Sequence, residues 1–185
     1  YLFRGNRTKK YNTETFEAFN SFNYPSLAEA GIDIKYNDQF ILEYPQESFR
    51  INTRLNTNIA VLKMFPGITP QAVNAVIQTP QLRAVILETF GNGNTTTAPW
   101  FIDCLKKNID KGIIVLDRTQ CDGGSVELGR YETSAHLREI GVVSGHDMTF
   151  EAAVAKLMVL LGQELSAEKV KQLLETSLKG ELTEK

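Results

Sequence analysis

Three short runs of apolar and β-branched residues constrain the fold more than anything else in this chain: IAVLKMF from residue 59, AVILETF from 84 and IIVLDRT from 113. Each has the length of a buried strand and is too short for a helix. Between the first two lies PGITPQAVNAVIQ. There Thr69 can cap a helix, Pro70 suits its first position, and Val73, Val76 and Ile77 share a face. Between the second and third lies APWFIDCLKKNIDKG, with Phe101, Leu105 and Ile109 at helical spacing and Gly112 as the stop. Strands alternating with helices of this length require right-handed crossovers and a parallel sheet covered on both faces. The predicted class is α/β.

The tail reads as helical. In MTFEAAVAKLMVLLG, Thr149 is the predicted N-cap, and Ala153, Val154, Leu157, Met158 and Leu161 form a wide apolar stripe that reads as core. In SAEKVKQLLETSLKGEL, Ser166 is the predicted cap and Glu168 places a negative charge near the positive end of the helix dipole. Residues 1 to about 45 are irregular, with a short helix expected in TETFEAF and a loop pinned to a core by Phe16, Phe19, Phe22 and Tyr24. EYPQESFRINTRLNTN reads as a linker or a pair of short strands. The opening YLFRGNR looks like a strand end without an initiator methionine, so further chain is expected upstream.

A net charge of −2 gives no electrostatic footprint for nucleic acid or an anionic membrane. No apolar run has the length of a membrane-spanning helix. Cys104 and Cys121 form neither a disulfide framework nor a metal-ligand spacing, so a reducing, cytoplasmic setting is the expectation. His136 and His146 also lack a ligand partner at useful spacing, and no metal or cofactor is expected.

In open parallel sheets, ligands bind beyond the carboxyl ends of the strands. Two polar loops leave such ends: FGNGNTTT after the second strand and DRTQCDGGSVELGRY after the third. Gly91 and Gly93 permit a sharp turn and close backbone approach, while the carboxamides of Asn92 and Asn94 both donate and accept hydrogen bonds. The glycine spacing fits neither the dinucleotide fingerprint nor a P-loop. Cys121 needs a base supplied by the fold before it can act as a nucleophile. Glu88 and Asp117, at strand ends, can serve as acid and base only if the fold brings them together.

LETFGNGN, then TQC, then GRYETSAHLREIGVVSGHDMTFEAAVAKLMVLLG, closing on KGELT, resemble in order the C-terminal half of the type I, cytosolic-type L-asparaginases. RGNRTKK and EAFNSFNYPSLAEAGI are similar to the stretch before that family's interdomain connection. The resemblance implies residues 1–45 as the tail of a larger N-terminal α/β domain, 46–58 as a linker, and 59–185 as a smaller C-terminal α/β domain. It further implies hydrolysis of L-asparagine to L-aspartate and ammonia, by a threonine nucleophile that forms an acyl-enzyme without metal or cofactor. The T-G-G-T-I and T-D-T segments that carry those threonines in the family do not occur in this sequence. What remains is a contribution across a subunit interface, within a homodimer or a dimer of dimers. Asn94 maps to the loop asparagine that reaches the neighbouring subunit's substrate, and Tyr131 to a position near it. Thr119, Gln120 and Cys121 match part of an allosteric asparagine site. Glu88 stands where that site has an arginine; a glutamate repels a carboxylate, although it could meet an α-ammonium group. Two alternatives stay open, a non-catalytic amino-acid-binding module and a related amidase.

Overall fold

A computed structural model describes residues 1–43, 45–46, 48–129 and 132–184. The chain opens with two small antiparallel ribbons: β1 (Lys9–Lys10) pairs with β2 (Phe19–Asn20), and β3 (Ala28–Ala30) with β4 (Ile34–Tyr36). TETFEAF forms no helix, and Phe16, Phe19 and Phe22 are exposed, so the aromatics do not pin this loop. A single helical turn needs a neighbour on which to bury its apolar side, and exposed phenylalanines show that this segment has none. Tyr24 does anchor, through an edge-to-face contact with Phe40 and by lying beneath the guanidinium groups of Arg4 and Arg7. Of residues 46–58, those described form no strand.

From residue 59 the predicted alternation is realised. The elements are β5 (Ile59–Lys63), α1 (Pro70–Ile77), β6 (Ala84–Thr89), α2 (Pro99–Ile109), β7 (Ile114–Thr119), α3 (Glu132–Glu139) and β8 (Val143–Ser144), followed by α4 (Phe150–Leu161) and α5 (Ala167–Leu174). The hydroxyls of Thr69, Thr149 and Ser166 cap α1, α4 and α5, accepting from the N–H groups of Ala72, Ala152 and Lys169. β5, β6, β7 and β8 lie side by side in that order, all parallel. Because sequence order equals spatial order, crossovers of one hand place α1, α2 and α3 on the same face of the sheet. Val85, Leu87 and Val115 pack there against Val73, Ile77, Phe101, Leu105 and Leu137. Ile86, Leu116 and Val143 face the other way, against Ala153, Leu157 and Leu160 of α4 and Val170 and Leu174 of α5. β6 and β7 are buried at every position, as strands covered on both faces must be.

The stripe on α4 is rotated from the expected one. Lys156 is buried, while Met158 and Val154 are only half-buried. Lys156 Nζ meets Glu181 at 2.6 Å and donates to the carbonyls of Leu174 (3.0 Å) and Thr176 (2.6 Å). Burial lowers the Lys156 pKa and the Glu181 contact only partly offsets that. Burial pushes Glu181 up, but Lys156 and the N–H groups of Leu178 and Lys179 outweigh it and hold Glu181 below the usual range. The closing residues 178–183 are thereby fixed to α4, and they in turn hold the N-terminal stretch. Arg4 donates to the Gly180 carbonyl (3.1 Å), Asn6 to that of Lys179 (2.8 Å), and Arg7 to that of Glu181 (2.9 Å).

A strap of residues 54–56 crosses the end of α4, where Asn56 N–H donates to the Met158 carbonyl at 3.0 Å. A Cβ at Gly162 would collide with the Arg54 carbonyl. Gly162→Ala is expected to cost about 1–3 kcal/mol, read as a lower urea midpoint, because the strap must lift off the helix end.

Candidate functional site

The carboxyl edge of the sheet gathers the loops that sequence reasoning selected. After β6 the backbone folds back tightly: Phe90 N–H donates to the Asn94 carbonyl (2.8 Å), while Asn94 N–H (2.8 Å) and Gly93 N–H (3.2 Å) both donate to the Phe90 carbonyl. Gly91 and Gly93 have φ of +49° and +111°, the left-handed region that favours glycine. Gly93 has a second constraint, since a Cβ there would lie 3.1 Å from Asp117 Oδ2 and 3.1 Å from Val126 Cγ1. Asn94 is half-buried at the end of this loop, and its Nδ2 lies 3.8 Å from the Cβ position of Gly91. Glu127 N–H ties the loop to the following segment through the Asn92 carbonyl (3.1 Å).

Strand alternation sends the two candidate carboxylates to opposite faces, so Glu88 and Asp117 are not an acid–base pair. Glu88 points toward the α4–α5 side and accepts from Arg118 Nη1 at 2.7 Å, across the register that sets the two residues opposite each other. Asp117 points toward the side of α1, α2 and α3. There Thr89 Oγ1 donates to its Oδ1 at 2.7 Å, and among the described residues Oδ2 has no hydrogen-bond partner. Burial pushes the Asp117 pKa from 3.8 up to about 7, with the Thr89 hydrogen bond opposing the shift. The folded state therefore keeps a proton that the unfolded chain releases near pH 4. Stability is lost as pH rises from there to about 7, and the loss is complete above it.

Asp117→Asn removes that penalty. A rise of about three units corresponds to about 4 kcal/mol, and an unpartnered buried amide NH₂ takes back about 1–3 kcal/mol. Urea denaturation of the intact protein should show the variant about 2 kcal/mol more stable at pH 8, with the gain gone by pH 5.

The candidate allosteric residues divide in the same way. Thr119 is buried on the Asp117 face, and its hydroxyl accepts from Cys121 N–H at 3.1 Å. The Gln120 carboxamide spans the sheet edge, donating to the carbonyls of Met64 (2.6 Å) and Glu88 (2.9 Å). Cys121 is an exposed free thiol. Glu88 stands apart in its ion pair. Tyr131 lies outside the described residues.

Sequence reasoning missed Thr89 and Arg118, which complete these two carboxylate environments, and Asn23. The Asn23 carboxamide reads both sides of Gly124, accepting from its N–H (2.8 Å) and donating to its carbonyl (3.0 Å), while Lys9 pairs with Asp122. The only sequence signal for Asn23 was its place in FNSFNY, directly ahead of the anchoring Tyr24. Among the described residues no cluster of His, Cys, Asp and Glu could hold a metal ion, and no helix is long and apolar enough to cross a membrane.

A singly wound parallel sheet, with helices on both faces and polar loops gathered at its carboxyl edge, defines a small α/β domain. More particularly, residues 58–174 match the Glutaminase/Asparaginase C-terminal domain, and the chain belongs to that family. It is 37% identical to L-asparaginase 1 of Escherichia coli K12, over 98% of this chain and 54% of that protein. It is 38% identical to the 60 kDa lysophospholipase of Mus musculus, over 98% of this chain and 32% of that protein. The crystal structure of L-asparaginase I from Vibrio cholerae superimposes with a TM-score of 0.91 at 41% identity, covering 98% of this chain and 55% of that one. The chain thus spans about half the length, or less, of the relatives it matches.

Proposed function

We propose that this chain is the C-terminal part of a cytoplasmic L-asparaginase, which hydrolyses L-asparagine to L-aspartate and ammonia. In this reading residues 1–45 complete a nucleophile-bearing domain, 46–58 link it onward, and 59–185 form the second domain. A threonine outside this sequence attacks the side-chain amide carbon, ammonia leaves, and water then hydrolyses the acyl ester. The protein works as a homodimer or a dimer of dimers, and this chain's part is recognition. Asn94, with Tyr131 near it, reaches the substrate bound in the neighbouring subunit.

The observation that carries the reading is the 90–94 loop. Three backbone hydrogen bonds hold it at the carboxyl edge, and its last residue bears a carboxamide. A carboxamide can donate to an α-carboxylate and accept from an α-ammonium group, the two charges every amino-acid substrate presents. Such a group is useful only if its backbone is fixed, because orientation supplies much of the discrimination.

The test is ammonia release by the intact protein, with L-asparagine and L-glutamine as parallel substrates. Turnover of asparagine well above glutamine is the expected result. Comparable rates on both, or a preference for other amides, would replace the reading with that of a related amidase. Binding of asparagine without turnover would make this a non-catalytic amino-acid-binding module. The arrangement at Glu88 adds an expectation. With its carboxylate held by Arg118, asparagine saturation should be hyperbolic, with a Hill coefficient near 1 in steady-state kinetics.

A further inference from the structure

We propose that Asp117 is the positioning residue for Asn94: its buried carboxyl, held by Thr89 beneath Gly93, sets the path of the 90–94 loop and so the direction of the Asn94 carboxamide. The inference rests on Asn94 being the substrate-facing residue of the proposed asparaginase.

Three observations converge on this pair. Asp117 is completely buried, yet among the described residues its Oδ2 has no hydrogen-bond partner, a costly arrangement. Oδ2 lies directly under the loop, 3.1 Å from where a Cβ of Gly93 would be, so the backbone one residue before Asn94 rests against this carboxyl. The carboxyl itself cannot turn away. Thr89 fixes Oδ1, and the Asp117 backbone is held from the far side by Gly145, whose N–H donates to the Asp117 carbonyl at 2.7 Å. Thr89 also begins the loop, as the last residue of β6, so one hydroxyl joins the loop's root to the carboxyl below its tip.

A carboxyl placed this way has two states. Neutral, it presents a compact polar surface that the Gly93 backbone can lie against. Ionised, it places an uncompensated charge under the loop, which must lift or admit water to solvate it. The raised pKa of Asp117 puts that change near neutral pH. The charged and titratable groups on the surrounding elements are few. Glu88 and Arg118 occupy the opposite face of the sheet, Glu127 adjoins Val126, His146 adjoins Gly145, and Arg138 of α3 donates to the Leu128 carbonyl. Imidazoles as a class titrate in the same window, so His146 is the control.

The experiment follows the backbone amide resonances of Gly93 and Asn94 in the intact ¹⁵N-labelled protein from pH 5.5 to 8.5. In the wild type both should shift with a common midpoint near 7. Asp117→Asn should abolish the titration. Thr89→Val, which removes the hydroxyl favouring the ionised form, should move the midpoint upward by about one unit, the equivalent of one hydrogen bond. A silent wild-type loop would overturn the proposal, as would a titration that survives in Asp117→Asn or disappears in His146→Gln. Ammonia release from asparagine, measured on the same samples, separates this from the functional reading. A titrating loop without turnover removes the asparaginase and leaves the coupling of Asp117 to the loop standing. Turnover over a silent loop removes the positioning role alone.

Discussion

Arg7→Ala is expected to lower unfolding stability by about 3–5 kcal/mol, the cost of breaking a buried ion pair from one side. Arg7 is almost wholly buried and its guanidinium is used from several directions. It donates to both oxygens of Asp147 (3.0 and 2.6 Å), to the carbonyls of Glu181 (2.9 Å) and Asn23 (3.2 Å), and to Thr183 Oγ1 (3.0 Å). A surface ion pair would be worth a few tenths of a kcal/mol, but this pair is out of water on both sides. Truncation therefore leaves the Asp147 carboxylate buried and short of its counter-charge, and strands two carbonyls. It also weakens the hold of the closing residues 178–183 on the N-terminal stretch, which is left to the Arg4 and Asn6 contacts.

The pH dependence follows from the same pair. Burial raises the Asp147 pKa, but the Arg7 hydrogen bonds, the Thr183 hydroxyl and N–H, and the Arg7 charge outweigh it, and the net pKa is lowered. A depressed carboxylate contributes stability that is fully present above its unfolded value, near pH 4, and is lost as pH falls through the folded value. In acid titrations followed by circular dichroism, Arg7→Ala should therefore unfold at higher pH than wild type. Arg7→Lys would recover only part of the loss, because a point charge cannot serve five acceptors spread around a planar fork. Wild-type stability in Arg7→Ala would mean that Asp147 finds another partner and that the clamp is redundant.

The clamp also marks the limit of what the sequence discloses. The sheet was legible because β6 and β7 are short β-branched runs buried on both faces, which leaves an unbroken apolar signal, and β5 repeats the run at the edge although it is only partly buried. Helix starts at Thr69, Thr149 and Ser166 were legible because capping is a contact three residues long. β8, only Val143 and Ser144 long, carries no period that could be read. Lys156 defeated the reading of α4 for a different reason. A lysine in an apolar helix signals the solvent side unless its partner is known, and that partner, Glu181, lies in a turn with no periodicity at all. Arg7 and Asp147 are 140 residues apart, so no local rule connects them. The same holds at the candidate site. The glycines and asparagines of the 90–94 loop announce a tight polar turn, but that Asp117 lies beneath Gly93 depends on the parallel register of β6 and β7. Alternation then decides that Glu88 faces Arg118 and never meets Asp117.

Asn94→Ala in the intact protein should lower kcat/KM for L-asparagine by about 10- to 100-fold while leaving the assembly intact. A hydrogen bond to a charged group contributes about 1.5–3 kcal/mol, and this corresponds to the stated range at 1.36 kcal/mol per factor of ten. Alanine keeps the N–H and carbonyl by which residue 94 is bonded to Phe90, so the backbone turn has its own hydrogen bonds in the variant. If the carboxamide holds ground and transition states equally, the loss will appear in KM. If it orients the substrate for attack, kcat will fall as well. Asn94→Asp sharpens the test, because it keeps the shape and replaces the donor by a negative charge. Facing an α-carboxylate, that charge should cost more than alanine does. Facing an α-ammonium group, it should cost less, so the order of the two variants identifies which substrate charge Asn94 meets. Unchanged kcat/KM in both variants would remove Asn94 from the site and leave the rigid loop as a structural turn.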